Sequence, residues 1–149
     1  MHQRTQLSFH SPFVKFISAF VAAISLPVIS EILKIVLYNK RVVTSNLGYE
    51  FTITIIINLT LLFLIILPLS VWVEGLVGSQ IKRKQTQRSF INAIFHIFIG
   101  IISGVIYSLF IPNTTPVGPI LYGIKLAVIY FIYQSIFIWI IKKRAKRVS

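Results

Sequence analysis

The sequence contains no cysteine and no aspartate, and its acidic side chains are three glutamates, Glu31, Glu50 and Glu74. Without cysteine there are no disulfides, no thiolate metal ligands and no cysteine nucleophile. The histidines, His2, His10 and His96, lack the spacing of a metal site, and few carboxylates are on hand to complete one. No GxSxG elbow, phosphate-binding GxxxxGK[ST] loop or HExxH pair occurs. An intramembrane enzyme would need a nucleophile with a base, or a metal, at one depth, and no such set can be assembled. The sequence therefore reads as non-enzymatic, with no catalytic, cofactor-binding or metal-binding residues. Charge is also scarce: 12% of residues are charged, about half the share usual in soluble domains.

What fills the chain instead is apolar, 56% of its 149 residues. The apolar residues come in runs of about twenty, which is the membrane pattern. The runs predict spans over 13–38, 51–73, 90–111 and 120–141, within one membrane domain covering 1–149. Each is long enough to cross ~30 Å of hydrocarbon at 1.5 Å per residue. Backbone polar groups cannot be left facing lipid, and the runs are too long and too uniform for barrel strands, so helices follow. The first run, with Arg4 and Lys15 ahead of Ala22-Ala23, imitates a signal peptide. It continues past Pro27 to about Tyr38 without a closing small-x-small site, which favours a retained span. The expected fold is an all-α, four-helix antiparallel transmembrane bundle.

The net charge is +12. The basic residues lie between and beyond the apolar runs and form no stripe with interleaved aromatics, which argues against nucleic acid. One side collects Arg4, Lys15, the loop cations Lys82, Arg83, Lys84 and Arg88, and the tail cations Lys142, Lys143, Arg144, Lys146 and Arg147. The other holds Lys34, Lys40, Arg41 and Lys125, so the ratio is eleven to four. The excess places both termini, the basic loop 74–89 and the basic tail 142–149 in the cytoplasm, with Trp72 and Trp139 at the inner interface. This basic face is suited to anionic lipids. The uncharged turn from Pro112 to Pro119 contains an Asn113-Thr114-Thr115 sequon, discounted because it lies so close to the membrane.

Several intramembrane residues are candidates for function. Asn92, His96, Gly100, Gly104 and Ser108 recur every four residues along one helix face, with a GxxxG at its centre that would let a second helix approach closely. Packing within the chain is the preferred reading of this face, and a homodimer the other. Glu31 and Lys125 fall at similar depth and could pair across helices, against the alternatives of a local Glu31–Lys34 pair and an outward-snorkelling Lys125. His96 could relay protons, because imidazole titrates near neutrality, although a lone buried histidine is more often a packing residue. Pro27 and Pro68 are expected kinks. Asn58, Thr60 and Gln134 are expected to hydrogen-bond between helices.

The stretch Leu67-Pro68-Leu69-Ser70, then Ile81-Lys82-Arg83-Lys84, then Phe90 to Gly104, resembles a feature of small uncharacterised four-span membrane proteins of bacilli. The resemblance covers spans two and three and implies a bacterial plasma membrane, with no known activity and no catalytic residue to transfer. Two functional readings follow from the residues. The first is an accessory or immunity-type protein acting through helix contacts with itself or another membrane protein, motivated by the GxxxG face. The second is a small oligomeric transporter or channel for a proton or small solute, motivated by Glu31, His96, Lys125 and the two prolines. A lipid-handling enzyme ranks below both.

Overall fold

A computed structural model describes residues 12–38, 47–80, 85–111 and 115–148, and all regular structure among them is helical. Helix α1 runs Pro12–Tyr38, α2 runs Leu47–Leu61, α3 Leu67–Gln80, α4 Gln85–Phe110 and α5 Val117–Val148. A π turn over Leu62–Ile66 joins α2 to α3, so that these pieces form one long second span. Four segments, Pro12–Leu37, Gly48–Leu76, Ser89–Phe110 and Val117–Arg144, are long and apolar enough to cross a membrane. The protein is a multi-pass membrane protein.

The distribution of side chains fits lipid as the solvent. Phe13, Val36, Leu64, Leu109 and Phe110 are all exposed, while Ser18, Ala19, Ala22, Ala23, Asn58, Ser70, His96 and Ser103 are buried. In water the large apolar groups would be driven inward. In hydrocarbon they gain nothing by association, and small residues that allow close packing fill the interface instead.

The helices form a ring in which α1 packs on α2 and α5, α3 packs on α4, and α4 packs most extensively on α5. The α4–α5 seam is set by glycines. A Cβ on Gly100 would lie 2.6 Å from Ile124 Cα, and one on Gly104 would lie 2.4 Å from Ile120 Cα. Across the seam, a Cβ on Gly123 would lie 2.4 Å from the Gly100 carbonyl oxygen. These obstacles are backbone, which cannot rotate aside, so any larger residue would force the helices apart. The GxxxG face is therefore used inside the chain, as packing against a neighbouring span; Ser108, at its far end, is half-buried and bonds Val105 O of its own helix.

The span limits shift from expectation mainly at the ends where charge begins. Expected to stop at Val73, span two stays helical to Gln80, which places Glu74 inside the bundle rather than in a loop. The expected tail from Lys142 is helical as far as Val148. Pro119 falls in the first turn of α5, where a missing N–H costs nothing, and Ile120 N–H bonds Pro116 O at 3.0 Å. His2, Arg4, His10, Lys40, Arg41, Lys82, Arg83, Lys84, Asn113 and Thr114 lie outside the described residues.

The two prolines are accommodated differently. Pro27 sits within α1 and has no N–H to give the Ala23 carbonyl one turn back. Asn58 supplies the substitute: its Nδ2 donates to Ala23 O at 3.0 Å, and its Oδ1 accepts from the Tyr122 hydroxyl. One buried amide thus ties α1, α2 and α5 together at the site of the proline. Pro68 follows the π turn, in which Leu67 N–H reaches back to Leu62 O, five residues earlier. The irregularity expected at Pro68 is thus a change of hydrogen-bond register just before the proline.

A thermodynamic cycle on Asn58 and Pro27 checks this arrangement. Asn58→Leu alone should destabilise by about 1–3 kcal/mol, the cost of a buried carbonyl left unpaired. In a Pro27→Ala background the restored N–H can satisfy Ala23, and the cost of Asn58→Leu should shrink markedly in an unfolding titration.

Candidate functional site

The most polar part of the interior lies toward the end of the bundle that carries residues 12 and 148. All four spans contribute to it. Lys15 comes from the first turn of α1, Ser70 and Glu74 from α3, Asn92 and His96 from α4, and Tyr130 and Gln134 from α5. Every one of these residues is at most 9% exposed. Trp72 and Trp139 face outward near this level, the latter with Lys143 Nζ 4.9 Å above its ring, as residues at a membrane interface do. The cluster lies inside that aromatic belt.

Helical periodicity aims these side chains at one another. On α1, Lys15, Ser18, Ala19, Ala22, Ala23 and Leu26 share the buried face. On the second span Asn58, Leu62, Ile66, Ser70 and Glu74 recur every four residues and are all buried. The same step connects Asn92 to His96 and Tyr130 to Gln134.

At the centre is an ion pair. Lys15 Nζ lies 2.7 Å from Glu74 Oε2, with side chains 4% and 5% exposed. The other carboxylate oxygen, Oε1, accepts a 2.7 Å hydrogen bond from Gln134 Nε2. This bond fixes the Gln134 amide, since only its nitrogen can donate to a carboxylate. Beside it, the Ser70 and Tyr130 hydroxyls share a 3.3 Å hydrogen bond.

His96 is wholly buried between aromatics, 4.7 Å from the Phe131 ring and 6.0 Å from the Tyr130 ring. Its Nδ1 is 2.7 Å from Asn92 O. A backbone carbonyl can only accept, so Nδ1 carries a proton, and Nε2 is an acceptor whenever the ring is neutral. Glu74 and Lys15 both lie within electrostatic range of this imidazole.

Four buried side-chain atoms have no hydrogen-bond partner among the described residues: Glu74 Oε2, Asn92 Oδ1, His96 Nε2 and Gln134 Oε1. All belong to this cluster. Glu74 Oε2 has the Lys15 ammonium 2.7 Å away as its partner, so the acceptors left without any donor are those of Asn92, His96 and Gln134. The cluster is thus balanced in formal charge and short of donors.

The expected pair of Glu31 with Lys125 is corrected by the structure. Glu31 Oε1 is bound at 2.6 Å by Lys34 Nζ, three residues along the same helix, and no ion pair joins Glu31 to Lys125 among the described residues. Lys34 reaches Glu31 without spanning an interhelical gap, while Lys125 is exposed on the surface of α5. Neither lies in the buried interior of the bundle. The candidates His96 and Asn92 are brought together with Lys15, Glu74 and Gln134, whereas Gly100 and Gly104 form the seam that holds α4 in place and Ser108 bonds only its own helix. Asn58 and Gln134 bond between helices as expected, but Thr60 bonds the Ile56 carbonyl of its own helix. Lys15 and Glu74 were missed because each stands where a span begins or appears to end. The available signal was Lys15 continuing the small-residue face of α1, together with Glu74 lying four residues beyond Ser70. Comparison with protein-family models, curated proteins and solved structures finds no match to this chain.

The ion pair has a measurable signature. Breaking it from one side, by Lys15→Met or Glu74→Gln, should destabilise the bundle by about 3–5 kcal/mol, because one buried polar or charged group loses its partner. Replacing both, as Lys15→Met with Glu74→Leu, should cost far less than the sum. Unfolding in denaturing detergent measures the difference.

Proposed function

We propose that this protein is a small membrane transporter that moves a proton or small solute, with Lys15, Glu74, Gln134 and His96 as its ionisable centre. The observation that carries this reading is the Lys15–Glu74 pair sealed within the bundle. Removing two charges from water costs several kcal/mol per ion before any attraction returns it, so a pair at this depth is retained against a free-energy cost. Intramembrane charges of this kind mark ion and substrate pathways. His96, beside the pair, has one ring nitrogen available to accept a proton, and the Ser70–Tyr130 hydroxyls extend the polar interior.

A reading through helix contacts with another protein rested on the GxxxG face, which is occupied by α5. Transport accounts for the polar interior, which the contact reading leaves without a role. The core of a single copy is filled by Leu62, Ile66, Leu126 and Tyr130. Movement past them therefore requires the spans to rearrange or several copies to act together, and the π turn before Pro68 is a natural point of flexure.

The charge distribution supports a cytoplasmic location for both termini. Lys15 no longer counts toward the flanking charge, since it is neutralised in the interior. The remaining cations still number ten on the side of the termini, against Lys34, Lys40, Arg41 and Lys125 on the other. The basic ends would then meet anionic lipid headgroups.

Reconstitution into liposomes tests the function. Under an imposed pH gradient the wild-type protein should carry protons or exchange them for a small solute. Glu74→Gln and His96→Phe should each lower the flux by roughly tenfold or more, the scale of lost acid–base groups. Flux identical in wild-type and variant vesicles would contradict the assignment.

A further inference from the structure

The cluster described above has a property that neither packing nor proton transfer requires: its unsatisfied atoms are all of one kind. Glu74 Oε2, Gln134 Oε1, Asn92 Oδ1 and the neutral His96 Nε2 are acceptors, and all are buried. A buried acceptor left without a donor costs free energy comparable to a lost hydrogen bond. Three of them have no donor at all, and the fourth, Glu74 Oε2, has only the Lys15 ammonium at 2.7 Å, a set that favours an occupant with several N–H donors. The charge balance limits that occupant further. With Lys15 in place, the positive ammonium and negative carboxylate cancel, and the imidazole is neutral. If the lysine withdraws, the site carries a single negative charge in a low-dielectric surrounding, which is costly unless a monovalent cation enters.

Lys15 is placed to withdraw. It lies in the first turn of α1, about 4.5 Å from the start of the helix at 1.5 Å rise per residue. Its flexible four-carbon stem lets the ammonium extend toward the interface, as lysines near span ends do. Its departure frees a space of the size and charge of an ammonium group, next to Glu74.

We propose that Lys15 is the tethered occupant of a site for small ammonium cations, and that ammonium or a primary alkylammonium displaces it. The entering cation pairs with Glu74 Oε2 in place of Lys15 Nζ. Free of a tether, it can turn its N–H groups toward the acceptors that the lysine, held by its stem, leaves unsatisfied, with Gln134 holding the carboxylate through Oε1 and offering its own oxygen to the cation. Sodium fills the charge but calls for an all-oxygen ligand shell, which the His96 nitrogen interrupts. Tetramethylammonium brings no N–H donors and is excluded also by size. The inference rests on the transport reading and names its substrate class.

The test is thermal unfolding of the purified full-length protein in lipid nanodiscs, with methylammonium, tetramethylammonium or sodium chloride at equal ionic strength. Methylammonium should raise the Tm of the wild-type protein in a saturable way, and the other two should not. Gln134→Leu, which keeps the ion pair, should weaken the response by roughly tenfold, the equivalent of one hydrogen bond to a charged group. Glu74→Gln should abolish it, and Lys15→Ala should respond at a lower amine concentration than wild type. A response confined to Lys15→Ala would show that the lysine is a fixed structural partner and would overturn the proposal. Equal responses to methylammonium and tetramethylammonium, or none in wild type, would do the same. Proton flux retained in liposomes without any amine response would overturn this inference alone, whereas loss of both would remove the transport reading with it.

Discussion

An ammonium and a carboxylate 2.7 Å apart in the interior of an apolar bundle constrain everything around them. Neither Lys15 nor Glu74 is stable at that depth alone, so α1 and α3 must meet there. The second carboxylate oxygen needs its own donor, which brings Gln134 and hence α5 into the same layer. The α4 helix, bearing His96 and Asn92, is then held against α5 by the close backbone approach at Gly100, Gly104 and Gly123. In lipid there is no hydrophobic drive to collect the helices, so these polar and close-packed contacts carry the assembly.

The interior has two polar layers of different character. The one around Asn58 is closed: the amide caps the carbonyl left free by Pro27, and Tyr122 caps the amide. Every group there has a use, and its role is to join helices. The layer around Glu74 is left with acceptors unsatisfied, which makes it the place where chemistry can enter. The π turn lies between the two layers on the second span, which contributes Asn58 to one and Ser70 and Glu74 to the other.

The architecture was legible in the sequence because it follows from long apolar runs and the impossibility of unpaired backbone in lipid. The small-residue face of α4 was legible for a related reason: a four-residue period of Asn92, His96, Gly100 and Gly104 has few other uses. The charge centre was not. Glu31 and Lys125 matched in depth, but depth along a helix says nothing about which way a side chain faces, and both face solvent or lipid. Glu74 was assigned to a loop because hydropathy falls where charge begins, although the helix runs on for about two more turns to Gln80. Lys15 was counted as a flanking positive charge for the same reason. A single sequence shows the charges at span ends; the partner across the bundle decides whether they turn inward. Reading the faces of all four helices together, with Lys15 above Ser18 and Ala19, and Glu74 above Ser70, would have drawn the pair into view.

The most direct test of this account is a distance measurement on the native side chains in lipid. Solid-state NMR of the protein labelled with 15N-lysine and 13C-glutamate reports the dipolar coupling between Lys15 Nζ and Glu74 Cδ, with Lys15→Arg and Glu74→Gln samples to assign the signals. The account predicts a strong coupling, as for a direct ion pair. Absence of that coupling, with a Lys15 ammonium in rapid exchange with water, would place the lysine at the surface and contradict the interior charge centre on which the rest depends.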